Sequence, residues 1–131
     1  MFTKGQWFTL IWIAVSLTLL IVGCAQQPTV STASFPMSQR FKTSVLDWGE
    51  FITEFQGDGT LVSTRTGYVT IRGTFSVAGD KLTIKGILCD QPDKASGTYT
   101  WVYDGQTLYL NSSDDKCSDR FRVFNNAWSK Q

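Results

Sequence analysis

Histidine is absent from this chain. That removes the commonest general base and the commonest metal ligand together, and with them every Ser-His-Asp or Cys-His arrangement. An excess of one charge sign is missing too. Twelve Lys and Arg stand against eleven Asp and Glu, so the many phosphate-facing cations of a nucleic-acid binder are lacking, and no nucleic-acid partner is expected. Glycines fall in turns and not in a strand-to-helix loop that cradles phosphate. After Val22 no segment carries an apolar stripe at 3.6-residue spacing, which argues against a helical body. Glu50 and Glu54 are the only glutamates, and alternation puts both on the polar face of one strand. No catalytic residue, cofactor or metal site is expected, and the chain does not read as an enzyme. Catalysis by a shaped barrel pocket, of the isomerase kind, is the one enzymatic reading left open.

What is present begins at the amino terminus. Lys4 is the only charge before Trp7, and from Trp7 to Val22 the chain is uncharged and mostly apolar. Such a run is short for a bilayer span, which takes about 20 residues, and matches the charged start and apolar core of a secretory signal. It ends in Ile21-Val22-Gly23-Cys24, followed by a polar stretch. These residues resemble the lipobox of bacterial lipoproteins, where an aliphatic residue, a small or aliphatic one and Gly or Ala precede a Cys. The resemblance implies residues 1–23 as signal peptide, a diacylglycerol on the Cys24 thiol, cleavage just before it and acylation of the new amino terminus. Each buried CH₂ contributes about 0.8 kcal/mol, and stable anchoring takes more than one chain. The implied place is extracytoplasmic, lipid-anchored to the cell membrane or outer membrane; Ala25, where many inner-membrane lipoproteins carry Asp, points to the outer one if it exists. An ordinary signal peptide with an incidental Cys, or an uncleaved anchor, would be the plainer alternatives.

From Cys24 to Arg40 the sequence is rich in Gln, Ser, Thr and Pro without apolar period. It reads as a flexible tether, able to hold a folded part on the order of tens of ångströms from lipid. Removing Lys4 with the signal leaves eleven basic against eleven acidic side chains. The remaining residues, 41–131, suffice for one modest domain, expected to act as a monomer.

That domain reads as short strands and tight turns. Val69, Ile71, Phe75 and Val77 alternate with Tyr68, Thr70, Arg72, Thr74 and Ser76, a period of two with one wet face. Ala78-Gly79-Asp80 turns the chain, and Lys81 to Leu88 returns with Leu82, Ile84 and Leu88 on one side, so the two strands are antiparallel. Tyr99, Trp101 and Tyr103 share a face, Asp104-Gly105 supplies a hairpin turn, and Leu108 and Leu110 alternate beyond it. Trp48 to Gln56 carries Phe51 and Phe55 on one face, Gly57-Asp58-Gly59 turns, and Thr60 to Thr66 returns. Asp119 to Phe124 reads as a last strand, with Phe121 and Val123 against Arg120 and Arg122. Counting a further strand near Phe41 to Leu46, the expectation is an all-β fold, an antiparallel up-and-down β-barrel of seven or eight strands or a small sandwich, behind a signal-peptide helix and a tether. Closure removes exposed edges that would promote aggregation.

With Cys24 lipidated, Cys89 and Cys117 remain, a pair in a compartment that permits disulfides. A bridge between them is expected to tie the connection after Leu88 to the last strand; two free buried thiols are the other reading. Two thiolates without His make a poor metal site. The acidic stretch Asn111 to Asp115 with Asp119 gathers hard oxygens, but its spacing matches no calcium loop and its residues are ordinary turn formers.

The run GTFSVAGDKLTI, then Cys89, GTYTWVYDGQTLYL, DDKCSDRFRVF and Trp128, spanning Gly73 to Trp128, resembles small secreted bacterial domains of lipocalin-like, or calycin-type, character. The resemblance implies an antiparallel barrel with a Cys pair, a Tyr-x-Trp strand and an Arg after the second Cys. Lipocalins carry a Gly-x-Trp near the first strand, and here Trp48-Gly49 stands in reverse order. Tyr99, Trp101, Tyr103 and Arg120 are the candidate ligand-binding set: three aromatics on one face and a guanidinium nearby could line a pocket for an apolar ligand with one polar group. They could equally be core, with Arg120 stacked on Trp101. An eight-stranded barrel has room for little beyond its own side chains or one small ligand. Two functions are therefore expected: a lipid-anchored lipocalin-like binder of a small apolar or amphipathic ligand, or an envelope lipoprotein that binds or inhibits another protein through its loops.

Overall fold

A computed structural model of the chain describes residues 34–68 and 70–131. The expected residue of lipidation, Cys24, and the signal segment lie outside them. The described residues form eight strands and one short helix: β1 (Arg40–Val45), β2 (Gly49–Phe55), β3 (Thr60–Arg65), β4 (Thr70–Ala78), β5 (Lys81–Lys85), β6 (Ser96–Tyr103), β7 (Thr107–Asp115), α1 (Ser118–Phe124) and β8 (Ala127–Lys130). Each strand pairs antiparallel with its neighbour in sequence, and β8 pairs with β1, closing an up-and-down barrel. The fold is the all-β barrel expected from alternation.

The alternation acts as local chemistry dictates, since successive side chains point to opposite faces of a strand. Phe51 and Phe55 are buried from β2, Leu61 from β3, Phe75 from β4, Leu82 and Ile84 from β5, and Tyr99 from β6. Two exposed carboxylates fix hairpin turns: Asp58 accepts from the Thr60 N–H at 2.9 Å, and Asp104 accepts from the N–H groups of Gln106 and Thr107 at 2.9 and 2.7 Å. Gly105, at φ +97°, occupies the left-handed region that the second hairpin requires. Inside, Thr53 and Ser63 hydroxyls bond one another at 2.8 Å and Thr43 donates to the Ala127 carbonyl at 2.9 Å, so these buried hydroxyls are satisfied.

Both ends of the barrel carry stoppers. At the end of the β2–β3, β4–β5 and β6–β7 turns, Phe35 is buried, its ring 5.0 Å from Phe55, 5.8 Å from Phe75 and 5.2 Å from Trp101. Ser34–Gln39, which composition alone assigns to the tether, thus lends an aromatic to the core. At the other end, here called the mouth, Phe124 of α1 stacks on Trp128 at 5.5 Å and meets Tyr99 at 6.4 Å.

Three local expectations are overturned. Asp119 to Phe124 lies in α1 and not in a strand. Cys117 caps the helix, its sulfur accepting from the Arg120 N–H at 3.3 Å, and the buried face consists of Arg120, Val123 and Phe124, the i, i+3, i+4 spacing of a helix. That stripe escapes an apolar search because one member is a charged residue; Phe121, expected inside, is 44% exposed. The last strand is instead β8, where Trp128 is the only buried residue, too little for a period to register. Finally, Asn111 to Asp115 continues β7 and is no loop.

Candidate functional site

On β6 the side chains of Tyr99, Trp101 and Tyr103 share the inner face, as expected, but the strand spreads them along the barrel at roughly 6.8 Å for each two residues. Tyr103 sits at the far end, its single O–H shared between the Gln39 side-chain oxygen at 3.1 Å and the Gly105 carbonyl at 2.8 Å. Trp101 donates to the Gly79 carbonyl at 2.9 Å. Tyr99 lies towards the mouth, where its hydroxyl donates to Asp115. Arg120, expected on a strand beside Trp101, arrives from α1 and meets Tyr99 through Asp115. The four residues do not converge on one cavity.

Asp115 is brought inward by a bulge. The β6–β7 register skips Ser113, with Tyr99 opposite Ser112 but Thr98 opposite Asp114. The extra residue exchanges the faces beyond it, so Asp115, opposite Gly97, points in. Gly97 is buried, and a Cβ there would overlap the Asp115 carboxylate and press on Arg120 Nε; only glycine leaves room. The Asp115–Arg120 pair has no exposed side-chain surface. Arg120 spends all five N–H donors: Nε and Nη2 on Asp115 at 2.8 and 2.7 Å, Nη1 on the Ile87 and Ala95 carbonyls at 3.3 Å, and Nη2 also on Lys94 O at 2.8 Å. Burial alone raises the Asp115 carboxyl, but hydrogen bonds from Arg120, Tyr99 and the Cys117 N–H, with the Arg120 charge, outweigh it and hold the group below the usual carboxylate range. Burial, then the bond to Asp115, pushes the Tyr99 phenol far above its ordinary value. Cys117 is bridged to Cys89, so α1, the β5–β6 connection and β7 form one clamp. With every donor engaged, this is a structural network.

One open feature among the described residues is a cleft at the mouth. Its volume is about 250 Å³, and it is lined by Trp48, Phe51, Arg65, Tyr68, Ile71 and Leu88. Trp48 comes from the β1–β2 turn, Phe51 from β2, Ile71 from β4 and Leu88 from the β5–β6 connection. Arg65 ends β3 on the face of buried Leu61 and Ser63, so it is a charge pointing inward at the rim. Its Cζ lies 4.1 Å from the centre of the Tyr68 ring, within cation–π range. Its Nε is out of water with no hydrogen-bond partner among the described residues, a state that costs about 1–3 kcal/mol. Arg122 lies over Trp48 at 5.0 Å and donates to the Leu46 carbonyl at 2.8 Å, fixing the β1–β2 turn against α1. Period-two alternation of Leu61, Ser63 and Arg65 was the signal for this residue; what it could not reveal is that β4 and the β5–β6 connection leave the place open. A wider cleft of about 590 Å³ at the far end is lined by Ser34 to Met37, Gln39, Val77 and Tyr103, where the chain joins the barrel and Gln39 and Tyr103 already bond each other.

Fold and site together define a small closed antiparallel barrel with an aromatic-packed interior, a disulfide-tied helix and an apolar, cation-edged notch at its mouth. No protein-family model matches the chain, and no curated protein or solved structure matches it.

Proposed function

We propose that this chain is a lipid-anchored, extracytoplasmic binding protein of lipocalin-like form, which takes a small apolar or amphipathic ligand at the barrel mouth and not inside the barrel. The observation that carries the reading is the mouth cleft: four apolar side chains on fixed strands and turns, around a guanidinium whose Nε has no partner among the described residues. Ligand sites are typically concave and mostly apolar with a few placed polar groups, and this one is small because aromatic side chains occupy the barrel. The extracytoplasmic setting is supported by the Cys89–Cys117 bridge, and the anchor by the lipobox ending at Cys24.

A second reading, capture of another envelope protein, has its own support. Leu46 and Tyr68 are 81% and 65% exposed, and with Phe121 they surround the same mouth. Exposed apolar surface gathered in one place marks interaction sites. A thermal-shift screen of small apolar and amphipathic compounds, run beside a pull-down from envelope extract, separates the two. A ligand selective for the native state raises the midpoint by several degrees at saturation; a captured protein with no compound shifting the midpoint would sink the small-ligand reading.

A further inference from the structure

We propose that the mouth selects a short single-chain carboxylate, an anionic amphiphile whose head meets Arg65 and whose tail lies on Trp48, Phe51, Ile71 and Leu88. The inference rests on the ligand-binding reading of that cleft and names its ligand class. Charge is the first argument. The ion pairs among the described residues join Lys42 to Glu50, Arg122 to Asp47 and Arg120 to Asp115, and none supplies a carboxylate to Arg65. A guanidinium presents a planar fork that matches a carboxylate in two-point contact, and Arg65 holds an idle donor of that fork at the edge of apolar surface. A second cation, Arg122, stands beside Trp48 but is paired with Asp47, so among the described residues Arg65 is the lining cation without an ion pair. Tyr68, stacked on Arg65 and largely exposed, flanks the guanidinium on the solvent side of the cleft.

Size is the second argument. A cleft of about 250 Å³ holds on the order of eight non-hydrogen atoms at about 30 Å³ each. That suits one short chain of about eight carbons, and is far too small for a two-chain lipid. Leu88 is held at φ +68°, a conformation a bulky residue rarely adopts, next to the disulfide that fixes it; such backbone is found where surrounding structure forces a side chain into place.

The test is equilibrium dialysis of octanoate, 1-octanol and octylammonium against the full chain in nanodiscs, with empty nanodiscs as the blank. Octanoate is expected to bind at least about tenfold tighter than octanol, the step of a charge-assisted hydrogen bond, with octylammonium weakest. Arg65→Gln is expected to abolish the preference, so that octanoate and octanol bind the variant equally. In the unaltered chain, raising salt from about 0.05 to 0.5 M should weaken octanoate and spare octanol, which tests the charge without any variant. Equal binding of octanoate and octanol, or salt-insensitive octanoate, overturns the carboxylate inference while the ligand-binding reading stands. Failure of all three compounds to bind overturns both.

Discussion

Two arginines face inward in this barrel and do opposite things. Arg120 has every donor engaged and is part of the frame, whereas Arg65 Nε, at the rim, has no hydrogen-bond partner among the described residues. Breaking a buried pair from one side leaves a bare charge, so Arg120→Met is expected to destabilise the protein by about 3–5 kcal/mol, read from denaturant unfolding. Gly97→Ala, which pushes a methyl into the same carboxylate, should act in the same direction; an unchanged midpoint in both would refute the clamp. The acid side follows from Asp115. Its folded value lies below the ordinary aspartate range, so its contribution is complete above about pH 4 and is lost as the pH falls through the folded value. Asp58 and Asp104, lowered chiefly by the backbone N–H of Thr60 and Thr107 respectively, add in the same window. The melting temperature is therefore expected to drop below about pH 4, and Asp115→Asn to flatten part of that drop when followed by circular dichroism.

At the scale of elements, α1 is too short to persist alone, for isolated helices under about 12 residues are marginal in water. The Cys117 cap, the Cys89 bridge and Arg120 keep it. The bridge closes a sequence separation of 28 residues, and the loop-closure account gives about 3–4 kcal/mol for that length. Cys89→Ser is expected to cost about that much, and the loss should vanish when wild type is compared under reducing conditions. Strand β8 is held by Trp128, opposite Leu108 on β7, while Ser129 pairs with Lys42 on β1. Trp128→Ala should cost about 3–5 kcal/mol. Trp128→Phe should cost far less, because the indole N–H has no partner among the described residues; equal losses in the two would mean that volume does not hold the closure.

For the whole molecule, the up-and-down course decides which end does what. Residues Ser34 to Gln39 join the barrel at the end opposite the mouth, where the Ser38 N–H donates to the Phe55 carbonyl at 2.7 Å. The mouth cleft thus lies at the end of the barrel away from residues 34–39. Cys24→Ser is expected to shift the protein from the membrane pellet to the soluble fraction, with the unfolding of the barrel unchanged. Mature protein that stays in the pellet with an unmodified residue 24 would remove the anchor from the proposal.

Residue alternation was enough to read β2, β4, β5 and β6, their antiparallel hairpins and an all-β barrel, because the face a side chain takes in a strand depends on its immediate neighbours. Cysteine count and compartment likewise indicated the bridge between Cys89 and Cys117. Tertiary structure alone decided that Asp119 to Phe124 is a helix, since Arg120 can turn inward only where Asp115 and the carbonyls of Ile87, Lys94 and Ala95 receive it. It also decided that four residues legible as a site, Tyr99, Trp101, Tyr103 and Arg120, are spread along the barrel, while Trp48, Arg65, Tyr68 and Leu88 meet at its mouth. Local periodicity fixes which way a residue points; only closure of the sheet fixes what it meets there.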